Sequence, residues 1–183
     1  AGGGQELGLI YLGYGKVGGA LAAHEVVPMN EAERSGFPHL YENEYPFSNV
    51  GSLWCWSDNF GLTWRVENTI LVGAGFQACA PPVQLSDSTL MIPSYGNIGR
   101  SKISAAVVHR SEDGGATWSD MVIMARGRPQ TRHYHEPVVL ELAPGHLLGM
   151  LRFADNGQSP RGIFWQNESL DNGKTWSTPK PTH

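Results

Sequence analysis

The sequence predicts an all-β chain built from about three four-stranded antiparallel units. Two observations carry that expectation: a turn motif that recurs three times, and strand pairs placed at a similar offset from each copy. The motif reads Ser57-Asp58-Asn59-Phe60-Gly61-Leu62-Thr63-Trp64, then Ser111-Glu112-Asp113-Gly114-Gly115-Ala116-Thr117-Trp118, then Ser169-Leu170-Asp171-Asn172-Gly173-Lys174-Thr175-Trp176. The shared pattern is S-x-D-x-G-x-T-W, with Asn59 standing for Asp in the first copy. The copies start 54 and 58 residues apart. That spacing suits one four-stranded blade of a β-propeller per copy.

Composition agrees. Hydrophobic residues make up 40% of the 183 and charged residues 16%, which is compact rather than disordered. The 23 glycines and 12 prolines supply many turns. The net charge of −4, with no basic stripe, argues against nucleic acid and against an anionic membrane surface. No apolar run of about 18 residues exists to span a membrane. Cys55 and Cys79 are too few for a disulfide framework and read as two buried thiols. The start, Ala1-Gly2-Gly3-Gly4, reads as a processed end or as part of something longer. No cofactor is expected.

Each residue of the motif has a local reason. Asp or Asn in a tight turn accepts hydrogen bonds from backbone N–H groups just ahead of it. Gly reaches positive φ without strain. Thr favours the strand that follows, and Trp pins the turn against the sheet. A strand precedes each copy: 53–56, 107–110 and 163–166. Each reads as the third strand of its unit, with the motif turning into the fourth. Upstream of the third copy, residues 138–142 and 146–152 form a hairpin about Pro144-Gly145. A fainter version runs from 82–85 to 90–95. The first unit is read as entering at its second strand, 7–12, followed by an insertion from about 15 to 49 with a short helix or covering loop near 30–34. The units fall at about 1–75, 76–130 and 131–183.

This motif is the Asp box, and it resembles the BNR repeat of sialidases. The resemblance implies a sialidase-type β-propeller. Sialidases have six blades, so this chain would be half of a propeller or a fragment of one, or two copies would pair as a homodimer to complete the ring. The boxes sit on the outer edge in that family and speak to fold alone. Chemistry belongs where strands end at the mouth of the central channel.

A second stretch resembles a further sialidase signature. Glu136 begins a strand, a Gly turn follows, and Arg152 ends the returning strand 16 residues later. The hairpin brings both to one end. A three-residue turn would place them opposite each other, and a two-residue turn one register out. The resemblance implies that Glu136 is the proton-withdrawing partner of a nucleophilic Tyr, an exception to the usual carboxylate pair. Arg152 would be one of three arginines that clamp a substrate carboxylate, as a planar, permanently charged fork suits. The first of those arginines would lie before residue 1, and the third, with the nucleophilic Tyr, beyond His183. The acid/base Asp is not identifiable. Tyr95 and Tyr14 are read as occupying the position of Arg152 in their own units, where they would contact a sugar ring, with His135 beside Glu136 at the rim. The alternative for all of these is rim packing and surface ion pairing.

In a regular strand His133 and His135 point one way and Glu136 the other, too few ligands for a metal site, so no metal is expected. Asn167-Glu168-Ser169 fits a glycosylation sequon, but Ser169 is already explained by the third box. The favoured function is an exo-acting glycoside hydrolase of sialidase type on terminal sialic acid or a related acidic sugar. The alternatives are a non-catalytic propeller that binds glycan or protein, and a propeller hydrolase or lyase of another acidic sugar. The family resemblance favours a secreted or periplasmic protein.

Overall fold

The computed structural model describes residues 7–26, 47–64, 66–98, 103–119, 121–128, 132–155 and 164–182. They form three antiparallel sheets in chain order. The first contains β1 (Leu7–Gly13), β2 (Lys16–Val26), β3 (Phe47–Ser57) and β4 (Ile70–Ala74). The second contains β5 (Phe76–Ala78), β6 (Val83–Gln84), β7 (Leu90–Asn97), β8 (Ser104–Ser111) and β9 (Val122–Arg126). The third contains β10 (Arg132–Ala143), β11 (His146–Asp155), β12 (Phe164–Ser169) and β13 (Lys180–Pro181). β5 and β6 both pair with β7, so they are one inner strand in two pieces. The break falls at Cys79-Ala80-Pro81-Pro82, where two prolines have no N–H for a ladder.

One sequence expectation is overturned. The chain does not enter at the second strand of its first unit: residues 7–13 are the first strand, and β2 is the second. By sequence β2 reads as part of an insertion because Gly18, Gly19, Ala20, Ala22 and Ala23 give it a weak strand signal. The small residues have a structural cause. A side chain at Gly18 would collide with the ring of Trp54, which lies across it. The helix or loop expected near 30–34 lies outside the described residues.

The two larger core clusters lie between the sheets, and a third, of Phe76, Ala105 and Val107, lies within the second. Ala20 and Trp54 of the first sheet pack with Ala78, Leu90 and Ile92 of the second. Met91, Val108 and Met124 of the second pack with Val139, Leu147 and Leu151 of the third. A fully buried Leu or Ile contributes about 1.5–3 kcal/mol. Inner strands lean on the preceding sheet, β5 on β2 and β3, and β10 on β7 and β8. The outermost faces stay open: Leu9, Tyr11 and Leu71 on the first sheet, and Val138, Leu140 and Phe164 on the third. The cysteines are thiols and half-buried, and burial pushes the Cys55 thiol up.

All three boxes turn from third to fourth strand and share one bonding scheme. Ser111 Oγ donates to Asp113 Oδ1 at 2.8 Å and accepts from Gly115 N at 2.8 Å. Asp113 Oδ1 accepts from Thr117 N at 2.8 Å. Ser169, Asp171, Gly173 and Thr175 repeat these bonds, each at 2.8 Å. The first box keeps them with Asn59, whose Nδ2 donates to Thr63 Oγ1 at 2.8 Å, whereas the Asp boxes accept from that hydroxyl. Hydrogen bonds from the Thr117 hydroxyl, its N–H and the Ser111 hydroxyl hold the Asp113 carboxyl at about 2. At Asp171 burial opposes ionisation, but the bonds from Thr175 and Ser169 outweigh it, and that carboxyl also lies at about 2. Trp118 packs edge-on against Trp54 at 5.3 Å.

Candidate functional site

The boxes and the first hairpin turns share one end of each sheet, so candidate chemistry is sought among the strand ends at the other. Register defines equivalent positions there. Ser57, Ser111 and Ser169 oppose Val17, Leu90 and Leu147. Five residues further along those second strands stand Ala22, Tyr95 and Arg152. Tyr95 is therefore the counterpart of Arg152. Tyr14 is not: it lies in the turn from β1 to β2, fully exposed, at the box end. The reason is the strand assignment corrected above, which placed Tyr14 at the wrong end of its sheet.

Two departures from regular pairing build the third sheet's contribution. The turn from β10 to β11 has two residues, with Ala143 opposite His146, and the register shifts between Glu141 and Ala143. A second shift falls between His135 and Val138, so that Arg152 opposes His135. Glu136 is an extra residue of this bulge and sits at φ 45°. Pro137 follows, and a bulge is one of the few sheet positions where a missing N–H is harmless. Strict alternation would send Glu136 and His135 to opposite sides. The bulge instead lets both meet one guanidinium. Arg152 Nε donates to Glu136 Oε2 at 2.6 Å, and Arg152 Nη2 lies 3.1 Å from His135 Nδ1.

The second sheet closes the other side. The Tyr95 ring lies 5.3 Å from that of His135, and His133 stacks on His135 at 5.9 Å. Ser104 Oγ is 3.2 Å from His133 Nδ1. Beside them opens a cavity of about 400 Å³ lined by Gly75, Gln77, Tyr95, Gly96, Asn97, Ser104 and His135. Burial first, then the charge of Arg152 and the neighbouring His133, depresses His135 to about 4, against the opposing pull of Glu136. The ring is neutral at neutral pH. The structure thus brings Glu136, Arg152, His135 and Tyr95 together and leaves Tyr14 out. Gln77, Asn97 and Ser104 carry no motif; Asn97 and Ser104 stand at strand ends, and Gln77 lies in the middle of the short β5.

Among the described residues no three His, Cys, Asp or Glu side chains gather as metal ligands. Tyr134 is a core residue, packed on Phe153 and Trp165, and burial raises its hydroxyl. The Asn167 of the sequon is fully buried, and its Nδ2 donates to Met124 O at 2.7 Å across the sheet interface.

The BNR repeat-like domain family matches residues 40–183. The chain belongs to that family. Solved structures place the fold of this BNR repeat-like chain among propellers. A protein of unknown function from Dyadobacter fermentans superposes with a TM-score of 0.65 at 16% identity, covering 95% of this chain and 49% of its own. An α-L-arabinanase from Penicillium chrysogenum, solved with arabinobiose, gives a TM-score of 0.66 at 18% identity, covering 98% and 50%. The NanB sialidase from Streptococcus pneumoniae gives 0.54 at 19% identity, covering 77% and 22%. The BNR repeat-like chain thus spans about half the length of the first two. No curated protein matches the sequence at a significant level.

Proposed function

We propose that the cleft between the second and third sheets binds a sugar, and that the chain supplies part of the active site of a propeller-type glycoside hydrolase. The observation that carries this is the convergence of Glu136, Arg152, His135 and Tyr95 beside one open cavity, at the end of the sheets remote from the boxes. The Tyr95 ring offers an apolar face for the C–H face of a sugar. By the sialidase resemblance, Glu136 offers a carboxylate that would withdraw the proton of a nucleophilic Tyr. The likeness to an arabinanase solved with arabinobiose and to a sialidase supports a sugar as the ligand.

Sialic acid or a related acidic sugar is the narrower form of this reading. It is what the sialidase resemblance implies, and it would give Arg152 the substrate carboxylate as a bidentate partner. Arg152 would have to leave Glu136 to take up that role. Calorimetric titration of the chain with sugars tests the site. Glu136→Ala and Tyr95→Ala are each expected to lose binding with the melting temperature nearly unchanged. Full binding by both variants refutes the site. The 183-residue chain is expected to hydrolyse little or no fluorogenic sialoside, because the sialidase resemblance puts the nucleophilic Tyr at no motif position here. Strong turnover would show the nucleophile to be misplaced.

Closure of the ring belongs to the same proposal. Two copies about a two-fold axis would set the open face of one first sheet, with Leu9, Tyr11 and Leu71, against the partner's open third-sheet face. If the 183 residues are the whole protein, light scattering is expected to give a dimer, and a monomer then refutes the pairing.

A further inference from the structure

The bonding around Arg152 fixes more than its own position. A guanidinium only donates hydrogen bonds. At 3.1 Å from Arg152 Nη2, His135 Nδ1 must therefore accept, and an accepting Nδ1 carries no proton. The ring is neutral, so its single N–H is on Nε2. On the other side Arg152 Nε donates to Glu136 at 2.6 Å, which keeps the guanidinium from turning away. The rings of Tyr95 and His133 hold the imidazole between them. The result is a chain of carboxylate, guanidinium and imidazole that leaves one oriented donor on a ring lining the cavity.

The lining itself says what that donor meets. The described side chains on the cavity wall are Gln77, Tyr95, Asn97, Ser104 and His135: amides, hydroxyls and an imidazole, with no formal charge. Such a wall suits the alternating donors and acceptors of sugar hydroxyls. Among the described residues of this cluster the cation is Arg152, and it is already paired with Glu136.

We propose that His135 is a fixed Nε2–H donor to a hydroxyl of an uncharged sugar, and that Arg152 is its positioning residue rather than a contact to a substrate carboxylate. The inference rests on the sugar reading of the cleft and deepens it. Among the described residues, the titratable groups that face His135 are Arg152 from β11, Tyr95 from β7, and His133 and Glu136 from its own strand. With the ring neutral down to about pH 4, the donor persists across the physiological range.

The test has two arms on the full chain. Nitrogen NMR of the histidine-labelled protein at pH 7 is expected to show His135 with Nδ1 bare and Nε2 protonated. A proton on Nδ1, or a doubly protonated ring, overturns the proposal whatever the sugars do. In Arg152→Met the tautomer preference is expected to be lost, and Arg152→Lys, a single-point donor, does not restore it. The second arm measures binding of arabinobiose as the neutral probe and sialyllactose as the acidic one. Arabinobiose is expected to bind more tightly. His135→Phe should weaken it about tenfold, while His135→Gln, which keeps a donor, retains most of the affinity. A preference for sialyllactose that Arg152→Met abolishes overturns the proposal in favour of the carboxylate clamp. Binding of neither sugar overturns the sugar reading and the hydroxyl assignment with it. The NMR arm distinguishes that failure from a wrong tautomer.

Discussion

The two ends of each sheet are built on opposite principles. At the box end, three turns repeat one set of hydrogen bonds, each closed within a handful of residues. At the cleft end the equivalent positions are Ala22, Tyr95 and Arg152, different in every sheet, and the contacts join strands from two sheets. The box glycines Gly61, Gly115 and Gly173 take their positive φ without penalty. Phe60 and Asn172 of the boxes, and Glu136 in the cleft, take the same region of φ as non-glycine residues. In the boxes that conformation belongs to a repeated turn, whereas in the cleft it serves the reach of Glu136 to Arg152. Repetition marks what holds the sheets; singularity marks what they are held for.

That contrast can be broken from the box side first. Trp54 is fully buried between the first two sheets, under Trp118. Trp54→Ala is expected to lower stability by about 3–5 kcal/mol in urea unfolding, the cost of a large core deletion. Ser169→Ala comes next, at about 1–3 kcal/mol, because the buried Gly173 N–H loses its acceptor. Arabinobiose affinity of the folded variant should stay unchanged. If it falls with stability, the two ends are not separable.

From the cleft side the sign reverses. Glu136→Gly is expected to stabilise the chain by about 1 kcal/mol as the left-handed backbone strain is relieved, while the Arg152 contact and sugar affinity are lost. A destabilised Glu136→Gly would show that the ion pair outweighs the strain.

The smallest effect is in acid. Asp113 and Asp171 have folded values of about 2, below the ordinary carboxylate value, so their contribution is complete above about pH 4 and is lost as pH falls toward 2. Both carboxylates are exposed and screened, which keeps the effect modest. The first box, with Asn59, has no such dependence. Asp113→Asn with Asp171→Asn should flatten the acid limb of stability, and an unchanged limb would place the acid lability elsewhere.

The box end was legible because its bonds are local: Ser, Asp, Gly and Thr at fixed offsets specify the turn regardless of the rest of the chain. The cleft was legible only in part. Hairpin arithmetic put Glu136 and Arg152 at one end, but neither simple turn length yields the observed pairing, which depends on two bulges that composition does not announce. Tyr95 followed from its place at the end of the returning strand of the second unit's hairpin, 90–95. Tyr14 was placed at the wrong end because the glycines and alanines of β2, of which Gly18 leaves room for Trp54, hid a strand. Gln77, Asn97 and Ser104 come together only through packing of separate strands, and no local pattern could have joined them.

The buried Asn167 sets a condition on how the chain is made. Its amide reaches Met124 O across the interface of the second and third sheets, and Ser169, two residues on, is the pivot of the third box. The same tripeptide is an acceptor for a glycan while the chain is still unfolded. A sugar tree attached at that moment could not be enclosed, and the third sheet could not settle on the second. In a host that modifies nascent chains, docking of these sheets is thus a race against an enzyme. Production in such a host would divide the molecules by which event came first.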